Sequence, residues 1–273
     1  MSDLEKSVAL AQQGDRTALE AVVLAIQKDV YALALRFFWH PEDAEDATQE
    51  ILVRVVTRLG SFAGRSRFRT WVYRVAVNAL LSMKHKRMEE SALSLDSFAN
   101  DLARGLSDVA PPDDALLLEE IKIGCTQAML QCLDRDHRMA YIIGEILELD
   151  HQEAAVVLGV APATFRKRLS RARGEITTFM QHHCGLFDPK NACRCSRRAS
   201  TAIRLGRVDR KSLLFATDRS RAGRFPEVLA TIRGIEETRR AAALFRSHPS
   251  PAIRAKLVPR LRQLLAAPGR LPE

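Results

Sequence analysis

His151-Gln-Glu-Ala-Ala-Val-Val-Leu-Gly159-Val-Ala-Pro162-Ala-Thr-Phe-Arg166-Lys-Arg-Leu-Ser-Arg171-Ala-Arg173 reads as a helix, a tight turn and a second helix. Ala155 lies four residues before the glycine, where two crossing helices need a small side chain. Gly159 suits a left-handed helix end. Pro162 falls near the start of the second helix, where a missing N–H costs little. That helix carries Arg166, Lys167, Arg168, Arg171 and Arg173 with no acid between them. A short helix, a sharp turn and a cationic second helix are the layout of a helix-turn-helix that enters a major groove. The competing reading is a solvated basic face on an ordinary helix pair.

Around this stretch the chain reads as all-α. Its 273 residues allow two or three small domains. A hydrophobic content of 47% permits packed cores, and no strand-like alternation is sustained. The net charge of +9 suits a polyanionic partner. That charge is unevenly placed. Residues 184–273 hold 20 basic and 7 acidic side chains, whereas residues 1–183 hold 22 and 26. No signal-peptide pattern opens the sequence, and no stretch approaches the ~20 apolar residues of a membrane span. A soluble, cytoplasmic protein without membrane insertion is therefore expected. Five cysteines are too few and too irregularly spaced for a disulfide framework.

Apolar residues at helical spacing predict helices over residues 2–37, broken at Gly14-Asp15 and ended by Pro41. The next helix runs from Pro41 to about Leu59. It buries Ala44, Ala47, Ile51, Leu52, Val55 and Val56 and leaves a polar face of Asp43, Asp46, Gln49, Glu50 and Arg54. From the residues alone, that face reads as solvated. Residues 61–88 then carry Arg65, Arg67, Arg69, Arg74, Lys84, Lys86 and Arg87 with no acid, interleaved with Phe62, Phe68, Trp71 and Tyr73. Cations for phosphate and ring faces for stacking are what unpaired bases require. The alternative is that Phe68 and Trp71, three apart on one helix face, are core.

Residues 89–120 change character, with Glu89, Glu90, Asp96, Asp101, Asp108, Asp113, Asp114, Glu119 and Glu120 against Arg104 alone. This reads as a mobile acidic linker able to fold back on basic surfaces. Helix resumes near Pro112 and runs to about Cys132, and another is expected over His137–Leu147. Cys125 and Cys132 fall in apolar stretches and read as core.

Two separated stretches together resemble one family. Asp43-Ala-Glu-Asp-Ala-Thr-Gln49-Glu50 and Phe62-Ala-Gly-Arg-Ser-Arg-Phe68-Arg-Thr-Trp71-Val-Tyr73-Arg74-Val-Ala-Val-Asn78 resemble region 2 of sigma-70 RNA polymerase sigma factors. The likeness is to the compact extracytoplasmic-function (ECF) group. Gln152–Val160 and Thr164–Arg173 resemble its region 4. The resemblance implies region 2 over 1–90, an acidic linker over 91–114, region 4 over 115–183 and a C-terminal extension over 184–273. It implies docking of Asp43, Asp46, Gln49 and Glu50 on core RNA polymerase, in place of a solvated face. It implies that Phe62, Arg65, Phe68, Arg69, Trp71, Arg74 and Asn78 open the −10 promoter DNA. It assigns Thr164, Arg166, Lys167, Arg168 and Arg171 to the −35 duplex. An anti-sigma factor is a further partner it allows. No nucleophile motif or phosphate-cradling loop points to an enzyme. Two other readings are a stand-alone helix-turn-helix regulator, which needs no melting surface, and a zinc-dependent nucleic-acid enzyme, which lacks an acid/base pair beside the cysteines.

The extension departs from the minimal family pattern. It opens with His182-His183-Cys184-Gly-Leu-Phe-Asp-Pro-Lys-Asn-Ala-Cys193-Arg-Cys195. His183, Cys184, Cys193 and Cys195 could supply a tetrahedral site for Zn²⁺ or another soft metal. A redox-sensing thiol group and a plain loop are the other readings, and no cofactor is otherwise required. Residues 226–246 and 253–265 read as amphipathic helices that pack on region 2 or region 4 and regulate in cis.

Overall fold

The computed structural model describes residues 2–83, 93–107 and 114–251. The expected helix over 253–265, Lys84, Lys86, Arg87, Glu89, Glu90, Asp108, Pro111, Pro112 and Asp113 lie outside the described residues. Every regular element described is helical. Contacts divide the chain into two units, one of residues 1–88, 150–165 and 251–273, the other of 89–149 and 166–250.

The first unit begins with α1 (Asp3–Gln12) and α2 (Arg16–Phe38). Ser2 and Glu5 form a capping box that satisfies two orphan amides of α1. Asp15 caps α2 by accepting from the Ala18 N–H at 3.0 Å. Trp39, with φ at 68°, ends α2 in the left-handed region. Pro41 at the first turn then starts α3 (Pro41–Thr57), with Glu42 and Asp43 beside its positive dipole end. After a short 3₁₀ turn (Leu59–Ser61) comes α4 (Phe68–Ser82). The core joins Val22, Ile26, Val30 and Phe37 of α2, Ala47, Ile51 and Leu52 of α3, and Val72, Ala76 and Leu80 of α4. All are at most 3% exposed, so their apolar burial is the main force holding these three helices.

In the second unit, the acidic stretch is not a structureless linker. It contains α5 (Leu95–Arg104), capped reciprocally by Ser94 and Ser97. Its buried Phe98 stacks on Phe179 at 5.5 Å. The centre of the unit is α6 (Ala115–Cys132), capped by Asp114 and buried along most of its length. Next, α7 (Arg135–Tyr141) passes into a wider π turn (Ile142–Ile146), where a continuous helix to Leu147 is expected from spacing. Buried Arg138 donates to the carbonyls of Leu130, Gln131 and Leu133 at 2.8–2.9 Å. Those of Gln131 and Leu133 lie where the end of α6 leaves carbonyls without helical partners, and that of Leu130 also accepts from the Leu133 N–H at 3.2 Å.

The helix-turn-helix pair is α8 (His151–Leu158) and α9 (Pro162–His183). By their contacts, residues 150–165 group with the first unit. The extension supplies α10 (Cys195–Arg204), α11 (Arg219–Gly223), α12 (Phe225–Gly234) and α13 (Glu237–Arg246). The helix expected over 226–246 is therefore two, because Ile235 is extended (ψ 148°) after Gly234. Both α10 and α11 pack on α6, and α13 packs on the π turn and, through Phe245, on Tyr141 at the end of α7.

Buried charge fastens the extension to this unit. Glu120, 4% exposed, accepts from the N–H groups of Leu214, Phe215 and Ala216 at 2.8–2.9 Å. Asp101 of α5 binds Arg198 at 2.8 Å and Arg207 at 2.7 Å. The Arg207 hydrogen bond and both guanidinium charges outweigh burial and hold the Asp101 carboxyl below its usual range. A depressed carboxylate pKa stabilises the fold above the unfolded-state value near 4, and that stabilisation is lost as pH falls through the folded value. Wild-type protein should therefore melt above Asp101→Asn at pH 6, with the gap closing as pH falls below the unfolded-state carboxylate value and through the lower folded one. A gap that does not depend on pH would contradict this assignment.

Candidate nucleic-acid interface

Three exposed polar surfaces emerge from these helices. The first lies on α3. Apolar positions at i, i+3, i+4 and i+7 turn Ala44, Ala47, Ile51 and Val55 inward. That leaves Asp46 and Glu50 exposed one turn apart, with Asp43 and Gln49 half-buried on their flanks. Glu50 is also paired with Arg54 on the next turn.

The second surface is α4 and the loop before it. The Gln12 side chain of α1 donates to the carbonyls of Leu59 and Phe62, both at 2.9 Å, and so fixes that loop. Phe62, Phe68 and Trp71 form one aromatic cluster with ring centroids 5.3–5.7 Å apart. Within it Phe68 is 2% exposed, whereas Phe62 and Trp71 are half-buried. Phe68 is thus a core residue supporting the other two rings and cannot itself stack on a base. Arg69 also leaves the expected group. It lies on another face of α4 and pairs with Asp29 of α2, while its neighbour Thr70 donates to Glu153 of α8. At 100° per residue, Arg67, Trp71, Arg74 and Asn78 fall in one stripe. Arg67, Arg74 and Asn78 are exposed, as is Arg65 in the loop. Arg67, counted among the cations of residues 61–88, is not in the set the resemblance assigns; its spacing from Trp71, Arg74 and Asn78 was the available signal.

Phe68→Ala should therefore act first on folding. Emptying a buried aromatic site costs about 3–5 kcal/mol, so thermal unfolding of the whole chain should shift down strongly. Trp71→Ala should leave more of that stability and reduce promoter opening, read by permanganate reactivity of unpaired thymines. Equal melting curves for the two variants would refute the distinction.

The third surface is α9. Asp150 caps α8 by accepting from Gln152 and Glu153 N–H groups at 2.9 Å, and Gly159 ends it with φ at 66°. His151 meets the buried Phe165 ring at 5.7 Å, holding the start of α9 to α8. Phe165, Leu169, Ala172, Ile176 and Phe179 form the buried stripe of α9. Thr164, Arg166, Lys167 and Arg171 are left exposed. Arg171 reaches Glu175 at 3.0 Å. Arg168 differs: it is half-buried and pairs with Asp136 at 2.6 Å. Arg173 is held by Glu145.

Three of the four expected metal ligands stay together and His183 does not. His183 packs its ring on Phe179 at 4.8 Å, while Cys184, Cys193 and Cys195 line a cavity with Cys125 of α6.

The chain matches the sigma-70 region 2 family over residues 22–89 and the sigma-70 region 4 family over residues 123–176. It is 32% identical over 183 residues to the RNA polymerase sigma-H factor of Pseudomonas aeruginosa, covering 65% of this chain and 93% of that protein. It is 31% identical over 180 residues to the ECF RNA polymerase sigma-E factor of Escherichia coli K12, covering 64% and 92%. Among solved structures it is similar to CnrH in complex with the cytosolic domain of CnrY. That likeness has a TM-score of 0.46 at 20% identity and covers 64% of this chain and 95% of that one. It is also similar to the sigma factor RpoE in complex with the anti-sigma factor NepR from Bartonella quintana, with a TM-score of 0.42 at 21% identity and coverage of 58% and 94%. The chain belongs to the sigma-70 family of RNA polymerase sigma factors, in its ECF group. As an alternative sigma factor, it directs promoter-specific transcription initiation by core RNA polymerase. No helix among the described residues is long and apolar enough to cross a membrane.

Proposed function

We propose a division of labour among the three surfaces. Asp46 and Glu50, flanked by Asp43 and Gln49, dock α3 on core polymerase. Phe62, Trp71 and the cations Arg65, Arg67 and Arg74 receive unpaired −10 bases and their phosphates, with Asn78 at the end of the stripe. Stacking is worth about 1–3 kcal/mol per base, which offsets the cost of unpairing. Exposed Thr164, Arg166, Lys167 and Arg171 of α9 contact the −35 duplex, most of them through phosphate. The chain itself makes and breaks no bonds; it positions DNA for the polymerase. It acts in the cytoplasm, where an anti-sigma factor is a further partner. The extension regulates in cis through its hold on α6.

The observation that carries this reading is the stripe Arg67–Trp71–Arg74–Asn78 on the same unit as the acidic face of α3. A stand-alone helix-turn-helix regulator has use for neither. Run-off transcription with core polymerase tests it. Promoter-specific transcripts from the wild type, lost on joint Asp46→Lys and Glu50→Lys reversal with DNA binding retained, are expected. Full activity of that reversal variant would overturn the docking assignment.

A further inference from the structure

One residue of the second unit, Glu145, is gripped from two sides. It lies in the π turn, where the Leu147 N–H donates to the Ile142 carbonyl five residues back at 2.9 Å. Glu145 is 9% exposed. Arg173 of α9 donates to one oxygen of its carboxylate, from Nε at 2.9 Å and from Nη2 as well. The backbone carbonyl of Glu145 accepts at 2.8 Å from Nη1 of Arg246, the last residue of α13. The same Nη1 reaches the Glu148 carboxylate at 2.7 Å. A side chain of the cationic helix and a side chain of the extension therefore meet on a single residue. All of these positions belong to the second unit.

The turn between them is not a relaxed one. π geometry is rare and occurs mostly as single turns. The buried Tyr141 hydroxyl at its start has no hydrogen-bond partner among the described residues, where buried polar groups ordinarily have one. Glu148, just past the turn, has φ at 55°, in the left-handed region that residues other than glycine rarely adopt. Such geometry persists where neighbours over-determine it. Here the neighbours are on α13. Phe245, 1% exposed, packs on the Tyr141 ring at 5.4 Å, and Arg246 ties Glu145 to Glu148. An ordinary α register across residues 142–146 would turn Glu145 about the helix axis by up to about 100°, one residue's worth. That rotation would carry its carboxylate away from Arg173.

We propose that Arg246 is a positioning residue for −35 recognition: it holds the π turn, the turn presents the Glu145 carboxylate, and the carboxylate fixes the azimuth of α9 through Arg173. The proposal rests on the reading that α9 takes the −35 duplex, and it gives the extension a defined route to that helix. Arg173 serves as an anchor here, in contrast to exposed Arg166, Lys167 and Arg171, which face outward.

Binding of the full-length chain to a −35 duplex, taken from a promoter it transcribes with core polymerase, tests this. Arg246→Met keeps the side-chain length, loses both bonds and should weaken binding about tenfold, a coupling of ordinary allosteric size. The slope of log affinity against log salt should stay unchanged, because no phosphate contact is removed. Affinity for a duplex of random sequence should hardly move. Arg246→Lys should restore wild-type binding, since both bonds leave one nitrogen and an ammonium group can make both. Arg173→Met should match Arg246→Met, and the double variant should lose no more than either alone, because both act through Glu145. Arg240→Met separates this from a general loosening of α13. Its guanidinium binds the carbonyls of Phe187, Arg233 and Ile235, none of them in the π turn, so it should lower the melting temperature and leave −35 affinity intact. Wild-type affinity in Arg246→Met, an equal loss on random duplex, or an equal loss in Arg240→Met would overturn the proposal. Loss of affinity on joint replacement of Arg166, Lys167 and Arg171 but not in Arg246→Met would sink the proposal alone. Full affinity in that triple variant would remove the assignment of α9 to the duplex, and the proposal with it.

Discussion

Glu120→Ala should lower the melting temperature of the second unit by roughly 10 °C. The carboxylate is buried and accepts three backbone N–H bonds from residues 214–216, nearly a hundred positions away. Hydrogen bonds to a charged group contribute about 1.5–3 kcal/mol each, and an unpaired buried amide costs a similar amount. Leu214 is exposed and can turn to water, whereas Ala216 is buried and cannot. A net loss of about 3 kcal/mol follows, and for a unit of this size each kcal/mol is worth roughly 2–4 °C. Glu120→Gln keeps an acceptor oxygen but loses the charge, so it should fall between wild type and Ala. Limited proteolysis should find new cleavage between α10 and α11 in both variants. A shift below about 2 °C for Glu120→Ala would show that the segment is held by α6 packing alone.

Joint replacement of Arg166, Lys167 and Arg171 by Ala should remove most −35 duplex affinity. These side chains are exposed on the face of α9 opposite its buried stripe. Removing one phosphate-binding cation should reduce the slope of log affinity against log salt by about 0.9, so the triple variant should show a slope smaller by about 2.7. At about 1.4 kcal/mol for each cation removed, affinity at moderate salt should fall on the order of a thousandfold. Arg168→Ala should do less, because its guanidinium is already engaged by Asp136 and half-buried. Binding isotherms at four salt concentrations on a promoter duplex measure both quantities. A slope unchanged in the triple variant, or an Arg168→Ala effect equal to it, would place the DNA on another surface.

The parts of the fold legible in the sequence are those governed by neighbours along the chain. Gly159, Pro162 and the periodic apolar residues place α8 and the start of α9 to within a residue or two, although α9 runs on to His183, ten residues past Arg173. Pro41 and its trailing acids do the same for α3. Helix spacing also bears on α4, where Arg67 shares a stripe with Trp71 while Phe68 and Arg69 turn elsewhere. Spacing alone could not say which of those faces was covered, because that depends on α2, α3 and α8.

Elsewhere the decisive partners are far apart in sequence. Asp101 and Glu120 look like solvated acids of a linker, yet one grips two arginines of the extension and the other caps its backbone. A carboxylate's role is set by which donors exclude water around it, and those donors lie 94–106 residues away. For the same reason Cys125, packed on the core of Leu117, Ile121, Ala199 and Ala202 as expected, also lines the cysteine cavity, while His183 packs on Phe179 instead. The helix-turn-helix and the basic aromatic stretch follow from short-range spacing, since 3.6-residue periodicity and capping act within a few residues. The attachment of the extension, and the four-cysteine cavity it closes, follow from burial. Burial is a property of helices brought together from distant parts of the chain.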